Sequence, residues 1–437
     1  MVDRTSSKHV ERGVSKYKGR GSARNLYLLT CLSNNFSYTE SNHLIHIMHL
    51  SHMILILVSA ALVAVPTSAR GTNCTDSVAL DGVYTSRDVD MGSDPLTHFD
   101  APQLSDFNAS AIEDWSFDGV SRDGSAGMSF FFSRGTVAGH VAAQRLFLSV
   151  VWPNGTRYME SVFVRKSSVR QCRGSTIAHW TDDATRVRWT FASSVNYQNT
   201  VVTIDSPAVK GTYTIKALTP AVYPNGLEYP SADGDPLFAP ELYWEESVPV
   251  GTVEANLSIL GTPFVLSGYG GREKNWNSEA WADISADWDM MRAAVGPYAF
   301  IVWRYTSQVD RNTYFSVVLF KNRQVIFRTA NLGASDPDGK TYGSVASTNT
   351  GPVHLSSAPG SRLPLPESRF TGYVLDFVSP ETEQRWKFAL DFTRTVYWFP
   401  ASSALRIGGF VGNVTGGLVG GEQYTGLASG SAQEVVI

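Results

Sequence analysis

The sequence predicts an all-β protein. Short segments rich in β-branched and aromatic residues recur along the chain, and Asn-Gly, Asp-Asp and Pro-Ala turn chemistry separates them, which is typical of antiparallel strands. The one region whose apolar spacing favours a helix is residues 282–294. The expected strand segments are residues 145–152, 157–164, 186–191, 200–204, 212–218, 255–260, 263–268, 298–306, 314–329, 369–378 and 385–399.

The N-terminal region carries the signature of a targeting segment. Residues 53–65 form an apolar run of 13 residues followed by Pro-Thr-Ser-Ala, which fits the hydrophobic region and cleavage site of a secretory signal peptide. The run is too short for a membrane span, and a signal anchor is the competing interpretation. We expect residues 48–69 to be the signal peptide and residues 1–47 to be a disordered leader or an over-extension of the reading frame. The mature protein is then expected in the secretory pathway, secreted or in the lumen of a vesicle or vacuole, without a stable membrane span.

The length of the mature chain indicates two domains. Residues 70–437 exceed what one hydrophobic core usually supports. Pro249 and Gly251 interrupt the strand pattern, and we place the boundary there. The predicted organisation is an N-terminal β domain at residues 70–248 and a C-terminal β domain at residues 249–437.

Two cysteines remain after the predicted cleavage, Cys74 and Cys172. In an oxidising compartment two cysteines favour one disulfide, and the alternative is that both stay free and buried. Secretion also exposes a chain to N-glycosylation, which requires the acceptor pattern Asn-X-Ser/Thr. That pattern occurs in the mature chain at Asn73, Asn108, Asn154, Asn256 and Asn413.

Composition and motifs argue against several classes of function. Residues 70–437 hold 29 Lys and Arg against 37 Asp and Glu, a net charge of −8, without a basic run, so nucleic acid is not an expected partner. Their histidines are scattered and show no paired spacing, so no metal site is expected. The chain also lacks a GxSxG elbow, a GxxxxGK(S/T) phosphate loop and a GxGxxG turn that opens a helix, so nucleotide chemistry is unsupported.

The best functional clue is residues 268–298, which concentrate tryptophan, arginine and glutamate between two regions of strand pattern. Three glycines at the start free the backbone for a tight bend or for close approach, and the tryptophans supply apolar faces with a polar N–H at the edge. Such a segment can wall a pocket for an organic molecule, or it can simply pack the end of a barrel.

Four segments carry a family resemblance. They are EDWSFDGVSRDGSAGMSFFF at residues 113–132, GYGGREKNW at 268–276, MRAAVGPY at 291–298 and IGGFVGNVTGGLVGGEQYTG at 407–426. In this order they resemble the fungal Diels–Alderases of secondary metabolism, which belong to a broader lipocalin-like group that includes carotenoid 1,2-hydratase (hydroxyneurosporene synthase). The resemblance implies an N-terminal β-sandwich, a C-terminal lipocalin-like β-barrel, a substrate pocket between or beside them, and neither metal nor organic cofactor.

The predicted secretion signal narrows this resemblance. With this signal the chain resembles the subgroup that performs intermolecular hetero-Diels–Alder couplings of a tropolone-derived quinone methide with a macrocyclic sesquiterpene such as humulene. The expected partners are therefore small-molecule polyketide and terpenoid substrates. The tail beyond Gly426 departs from the acidic-aromatic ending expected of the family.

The tryptophans are the predicted apolar walls of the substrate site. The substrate-binding candidates are Trp115, Trp276, Trp281, Trp288 and Trp398. The first alternative is that they plug the barrel, as buried tryptophans usually do. Strand alternation further predicts that Arg394 and Val396 share the face of Trp398.

The predicted catalytic residues are Arg272, Glu273, Arg292 and Tyr298. Arg272, Arg292 and Tyr298 are candidate hydrogen-bond donors to a substrate oxygen, and Glu273 is expected to orient a neighbouring donor. The structural alternatives are an ion pair between Arg292 and Glu273, and a hydroxyl bond of Tyr298 at a strand start. Four carboxylates are expected to be solvated or turn-forming: Asp114, Asp118, Asp287 and Asp289.

Two rival functions remain at this point. A hydratase or isomerase needs a general acid, so Glu273 or Asp114 would have to be buried with a raised pKa. A non-catalytic lipocalin-like carrier needs only an apolar cavity.

Overall fold

The computed structural model describes residues 74–137, 139–331, 342–348, 371–400 and 405–435. They belong to one compact unit of the chain, residues 68–437. The predicted leader and signal peptide, residues 1–69, and the predicted glycosylation site Asn73 lie outside the described residues. Within the described ranges, no helix is both long and apolar enough to cross a membrane.

The described residues are almost entirely β-structure. The strands are β1 (Thr75–Leu80), β2 (Ile112–Ser121), β3 (Gly127–Val137), β4 (His140–Val151), β5 (Arg157–Val164), β6 (Lys166–Cys172), β7 (Ser175–Asp182), β8 (Val187–Ser194), β9 (Asn199–Asp205), β10 (Val209–Ala217), β11 (Leu237–Ala239), β12 (Leu242–Ile259), β13 (Thr262–Asn277), β14 (Ser285–Val295), β15 (Tyr298–Ser307), β16 (Thr313–Lys321), β17 (Gln324–Asn331), β18 (Tyr342–Thr348), β19 (Gly372–Ser379), β20 (Gln384–Pro400), β21 (Leu405–Leu418) and β22 (Gln423–Val435). The helices are α1 (Trp281–Ile284), between β13 and β14, and a 3-10 turn at Pro380–Thr382.

These strands form two antiparallel sheets. The first has the order β1-β6-β7-β8-β9-β10-β12-β13-β2-β3-β4-β5, with β11 added beside β12, and it curves into a half-barrel. The second has the order β17-β16-β15-β14-β22-β21-β20-β19-β18 and forms a nearly closed barrel. The predicted fold class, all-β with an N-terminal sandwich-like part and a C-terminal lipocalin-like barrel, is confirmed, with the N-terminal sheet curved into the half-barrel.

A helix over residues 282–294 is a prediction that the structure contradicts. The helix α1 ends at Ile284, and from Ser285 the strand β14 pairs with β15 on one side and β22 on the other. Pairing on both edges satisfies the backbone polar groups of β14 within the sheet. This tertiary pairing overrides the local spacing of the apolar side chains.

Burial along the strands marks where the two sheets meet. β9 alternates strictly between exposed and buried residues, whereas residues 244–251 of β12 are buried on both faces. A strand loses its alternation when both faces are covered. One face of this part of the half-barrel lines its own core, and the other packs against the barrel.

The domain boundary predicted near residue 248 lies inside β12. Pro249 and Gly251 do not end the strand, because the pairing of β12 with β13 shifts register between Glu245 and Val248 and again between Val248 and Gly251. Such bulges tolerate a proline that cannot donate to the ladder. The barrel begins with β14, after residue 284. The division into two domains stays a prediction.

Residues 314–329, predicted as one strand, form the hairpin of β16 and β17. Asn322 and Arg323 have φ angles of 50° and 72°. Two successive left-handed residues are what a two-residue type I′ turn requires. Because such turns usually carry Asn-Gly, the Asn-Arg pair gave no turn signal.

The predicted disulfide is confirmed. Cys74 and Cys172 are bonded, at a sequence separation of 98. The bond joins the residue before β1 to the last residue of β6, its neighbour at the edge of the half-barrel. In the chain-entropy treatment, closing a loop of this length stabilises the fold by roughly 4–5 kcal/mol.

Candidate active site

The strand β13 presents opposite chemistry on its two faces. Successive side chains of a strand point to opposite sides, so Arg272 and Lys274 face one way and Glu273 faces the other. All three are buried. Arg272 and Lys274 enter the core of the half-barrel, and Glu273 faces the barrel.

Arg272 is completely enclosed by structural partners. Its guanidinium forms an ion pair with Asp100 and donates to Oγ1 of Thr200 at 3.2 Å. The same group stacks on Phe117 and Phe191, at 4.9 and 4.8 Å from the ring centroids. This position contradicts the predicted role of Arg272 as a donor to substrate, because the donors point into a filled core.

Arg292, from β14 of the barrel, is the centre of a buried ion network. Its Nε lies 2.9 Å from Oδ2 of Asp118, and its Nη1 and Nη2 donate to the two carboxylate oxygens of Glu246 at 2.9 and 3.3 Å. Nη1 also donates to the carbonyl oxygen of Pro249 at 2.9 Å. The Glu273 carboxylate is farther away, with Oε2 at 3.8 Å from Nη2. Arg292 therefore joins β14 to β2, β12 and β13, and the hydrogen bonds of its Nη1 and Nη2 atoms to Glu246 and Pro249 favour a positioning role over direct contact with substrate.

The glycine at position 271 makes room for this guanidinium. A Cβ atom on Gly271 would lie 1.8 Å from Nη1 of Arg292. The glycines of the 268–271 segment therefore serve close approach, and β13 continues through them without a bend.

A small inner cavity adjoins the network. It has a volume of about 30 Å³ and lies between β2, β3 and β13 of the half-barrel and β14, β20, β21 and β22 of the barrel. Its polar lining consists of Ser116, Asp118, Ser129, Glu273, Tyr397, Ser429 and Ser431. The hydrophobic part of the wall includes Met290 and Phe410. Acids and hydroxyl groups therefore meet in a small hollow at the contact of the two sheets.

A larger outer cleft continues along the same strands. It has a volume of about 830 Å³ and is lined by residues just beyond those of the inner cavity: 122–123 after β2, 294 in β14, 413–415 in β21 and 425–427 in β22. The shift of about four residues corresponds to roughly 13 Å along a strand. Tyr298 lines this cleft, with the Lys321 ammonium 5.5 Å from its ring centroid. Of the four predicted catalytic residues, Glu273 thus lies at the inner cavity and Tyr298 at the outer cleft.

The predicted tryptophans do not converge. Trp115 belongs to the core of the half-barrel, Trp276 to a cluster beside Tyr243, and Trp398 to the core of the barrel. Trp281 and Trp288 belong to a further cluster with Trp303. None of the five tryptophans lines the inner cavity or the outer cleft. Their positions agree with the alternative in which the tryptophans pack the cores. Trp398 lies directly behind the cavity residue Phe410, at 6.1 Å between ring centroids.

A bulge in β20 explains why the side chains near Trp398 do not alternate between the two faces of the strand as predicted. The pairing with β21 shifts register between Thr395 and Tyr397, and the neighbouring residues Val396 and Tyr397 both line the inner cavity. Trp398 is left in the barrel core. The prediction that Val396 shares the face of Trp398 is therefore wrong.

Sequence patterns did not point to three residues of the site, namely Glu246, Asp118 and Tyr397. Glu246 follows Glu245 within an apolar strand, and two carboxylates inside such a run are a signal for a buried network. Asp118 was expected to be solvated, but its side chain is 18% exposed and Oδ1 accepts the N–H of Gly271 at 3.2 Å and the Ser429 hydroxyl at 2.8 Å. Tyr397 had no signal, because its direction depends on the bulge.

The other expected surface carboxylates are also engaged. Asp287 and Asp289 pair with the guanidinium of Arg304, and Asp289 is buried. Burial raises the pKa of Asp114, on the same side of β2 as Asp118, to about 6.

Burial dominates the titration of the network. It raises the pKa of Glu273 and, more strongly, that of Glu246, while the positive charge of Arg292 opposes both shifts. Burial also raises the pKa of Tyr397, and the nearby Glu273 charge adds to this shift. The Tyr397 hydroxyl therefore stays protonated and can donate a hydrogen bond across the physiological range of pH.

The predicted glycosylation sites differ in their surroundings. Asn154, Asn256 and Asn413 are exposed. The Oδ1 atom of the half-buried Asn108 accepts the backbone N–H groups of Ser110 and Ala111, at 2.9 and 2.7 Å. Among the residues with described positions, no group of three or more His, Cys, Asp or Glu side chains is arranged to hold a metal ion.

Comparisons with known proteins agree with the family resemblance. The model of the Diels-Alderase-like family matches residues 77–435. The Diels-Alderase poxQ of Penicillium oxalicum is 30% identical over 344 residues, which cover 78% of this chain and 74% of that protein. The Diels-Alderase ffsF of Aspergillus flavipes is 30% identical over 341 residues, covering 77% of this chain and 79% of that protein.

A solved structure shows the same fold. The crystal structure of CghA superimposes with a TM-score of 0.67 at 21% identity and covers 83% of this chain and 98% of that chain. The family match spans all the strands that carry the Arg292 network and the inner cavity. The predicted resemblance is confirmed, and the chain belongs to the Diels-Alderase-like family.

Proposed function

We propose that the protein is a pericyclase that catalyses a Diels–Alder or hetero-Diels–Alder cycloaddition in fungal secondary metabolism. The observation that carries this proposal is the family match over residues 77–435, which includes every strand of the crevice between the two sheets. The relatives named above are fungal Diels-Alderases.

The chemistry suits a site built from hydroxyls, acids and apolar walls. A cycloaddition exchanges π bonds for two new σ bonds without an obligatory nucleophile or proton carrier. Holding diene and dienophile in a near-attack arrangement can contribute roughly 7–11 kcal/mol in favourable systems. A hydrogen bond to a conjugated carbonyl lowers the barrier further, and it is strongest where water is excluded.

The sizes of the inner cavity and the outer cleft suggest that they hold different parts of the reactants. The outer cleft, at about 830 Å³, falls in the range of about 300–1,000 Å³ typical of ligand sites and would hold the hydrocarbon bulk of the reactants. The inner cavity, at about 30 Å³, has room for only one or two water molecules. A substrate oxygen would enter it by displacing water and pushing aside mobile walls such as Met290. Tyr397 would then be within reach as a donor.

We further propose that the reaction is the intermolecular coupling of a tropolone-type quinone methide with a sesquiterpene such as humulene, and that it takes place in the secretory pathway. The quinone methide offers a carbonyl heterodiene that a donor in the inner cavity would polarise. The disulfide between Cys74 and Cys172 supports an oxidising compartment.

The test is formation of an adduct. Purified protein is incubated with extract from a culture that lacks the gene, and products are followed by mass spectrometry. The expected result is one new product formed at a rate proportional to enzyme. An intermolecular reaction gives an adduct with the summed mass of two reactants, and an intramolecular one gives an isomer of unchanged mass. Binding of extract components without turnover would instead identify a carrier.

Hydration or isomerisation of a terpenoid is the second candidate. It needs a buried acid at the site, and the raised pKa of Glu273, which lines the inner cavity, favours it. Oxygen-18 water separates hydration from cycloaddition, because only hydration incorporates the label into product. Deuterium oxide separates isomerisation, because protonation of the alkene by the buried acid introduces deuterium into product and cycloaddition does not.

A further inference from the structure

The Arg292 network contains more acid than base. One guanidinium faces three carboxyl groups, those of Asp118, Glu246 and Glu273. If all three were ionised, the network would bury a net charge of −2, and removing uncompensated charge from water is costly. At least one carboxyl group is therefore expected to hold a proton.

Contacts distinguish the three candidates. Asp118 forms an ion pair with Nε of Arg292 and accepts two hydrogen bonds, from Gly271 and Ser429. Glu246 receives two guanidinium N–H groups in the two-pronged arrangement that stabilises a carboxylate. Glu273 is the least compensated, because Arg292 is 3.8 Å away and its hydrogen-bond donor is the indole N–H of Trp244, at 3.0 Å.

Position also singles out Glu273. Of the two glutamates, Glu273 lines the inner cavity and Glu246 does not. The Trp244 N–H donates to Oε2 of Glu273, so Oε2 acts as the acceptor and Oε1 is the oxygen available to carry a proton. Burial raises the pKa of both glutamates, more strongly that of Glu246, and their carboxyl groups hydrogen-bond to each other, so the two compete for one proton. The two guanidinium N–H groups that Glu246 receives stabilise its carboxylate, which leaves the proton on Glu273.

We propose that Glu273 is held as the neutral carboxylic acid and that its O–H donates a hydrogen bond to the substrate carbonyl in the inner cavity. The identity of that carbonyl rests on the proposed cycloaddition, whereas the protonation state does not. A neutral acid supplies a strong donor without adding a third negative charge to the network. Glu273 and Tyr397 then form a pair of donors on opposite walls of the cavity, one from each sheet.

The proposal predicts how activity depends on pH. The charged or titratable groups that face Glu273 are Asp114 and Asp118 of β2, Glu246 of β12, Arg292 of β14 and Tyr397 of β20. The neutral form is the active one, so activity should be constant at neutral pH. It should fall as pH rises through the raised pKa of Glu273, because the ionised group loses its proton and repels the electron-rich oxygen.

The protonation state is tested on the purified full-length protein without substrate. Infrared difference spectra are recorded at neutral pH between the wild type and two matched variants, Glu273→Gln and Glu246→Gln. The C=O stretching band of the Glu273 carboxylic acid, separated in the difference spectra from the unchanged band of Glu245, should disappear in Glu273→Gln and remain in Glu246→Gln. The opposite pattern, or retention of the band in both variants, would overturn the proposal whatever the outcome of the adduct assay.

Kinetics test the donor role. Glu273→Gln keeps an N–H donor and should retain a reduced rate that no longer falls at alkaline pH. Glu273→Leu removes the donor and should be slower than Glu273→Gln by about tenfold. Equal rates for both variants would contradict hydrogen-bond donation, and circular dichroism on both excludes loss of fold as the cause.

Discussion

The two faces of β13 solve the problem of buried charge in opposite ways. On the half-barrel face, every cation has an anionic partner and an aromatic ring: Arg272 pairs with Asp100 over Phe117, and Lys274 pairs with Glu113 at 3.3 Å over Trp115. On the barrel face, one guanidinium serves three carboxyl groups beside a cavity.

The difference indicates which cluster is structural. Charges that are paired and stacked in a filled core are fixed, and their exchange for apolar groups of similar shape costs little function. An excess of acid beside empty space keeps protons and polar groups available for a ligand. Arg272 and Glu273 are adjacent in sequence, yet Arg272 has a structural role and Glu273 belongs to the candidate site.

The largest effect should come from removing the guanidinium on each face. Arg292→Met leaves two buried carboxylates without their guanidinium partner, and Arg272→Met leaves one. Each should therefore lower the free energy of unfolding by about 3–5 kcal/mol, with Arg292→Met at the upper end. Urea denaturation measures the loss. The folded fraction of Arg272→Met should keep its turnover rate, whereas that of Arg292→Met should not. Equal turnover in the two variants would remove the distinction between the faces.

The next effect concerns Glu245, which faces the half-barrel core near Lys274. Burial raises its pKa from 4.5 to about 8, and neither carboxyl oxygen has a hydrogen-bond partner among the described residues. The folded state then holds a proton that the unfolded state releases, so this contribution to stability is complete below about pH 4.5 and is lost as pH rises through about 8.

Glu245→Gln should therefore gain stability relative to the wild type as pH rises through this window, by at most about 1.4 kcal/mol per pH unit. Urea midpoints across the window measure the difference. Glu254→Gln, on the exposed half of the same strand, is the control. Parallel stability curves for Glu245→Gln and the wild type would show that Glu245 is ionised.

A smaller effect is expected from Gly271→Ala. The new methyl group would overlap Nη1 of Arg292 and force the guanidinium to move, at a cost of about 1–3 kcal/mol. Thermal unfolding measures the loss, and activity should fall with it. Gly174→Ala is the matched control, because a Cβ atom there meets no atom within 4 Å. Identical behaviour of the two variants would mean that the network tolerates displacement.

The smallest effect on stability should come from Tyr397→Phe. Loss of one hydroxyl should cost about 0.5–1.5 kcal/mol, with a fall in turnover of about tenfold because a donor of the inner cavity is lost. Tyr305→Phe is the comparison, since its hydroxyl donates to the carbonyl of Ile284 at 2.5 Å, far from the cavity lining. A similar loss of turnover in both would indicate a general effect of packing.

Periodicity was sufficient for the fold class, because antiparallel strands leave a local signature of alternation and turn residues. It failed where the partner strand decides the conformation. The apolar spacing of residues 282–294 resembles a helix, yet β14 pairs on both edges. Pro249 resembles a boundary, yet a register shift accommodates it within β12.

The site was predicted only in part, because the pairing of the strands also decides which side chains reach it. The 268–298 segment does contain Glu273, Arg292 and Tyr298, which lie at or beside the two hollows. The tryptophans were predicted to line the site because their side chains are large, but large side chains in a β protein of this size mostly fill the core.

The sequence by itself determined that this chain is all-β and which family it resembles, and it favoured the pairing of Cys74 with Cys172, since each depends on residue type and order along the chain. Only the tertiary structure decided that Glu273 shares a network with Asp118 and Glu246, because these residues come from three strands whose pairing and bulges no local pattern encodes. A single step along β13 separates a structural arginine from a cavity acid, and the packing of the two sheets fixes which is which.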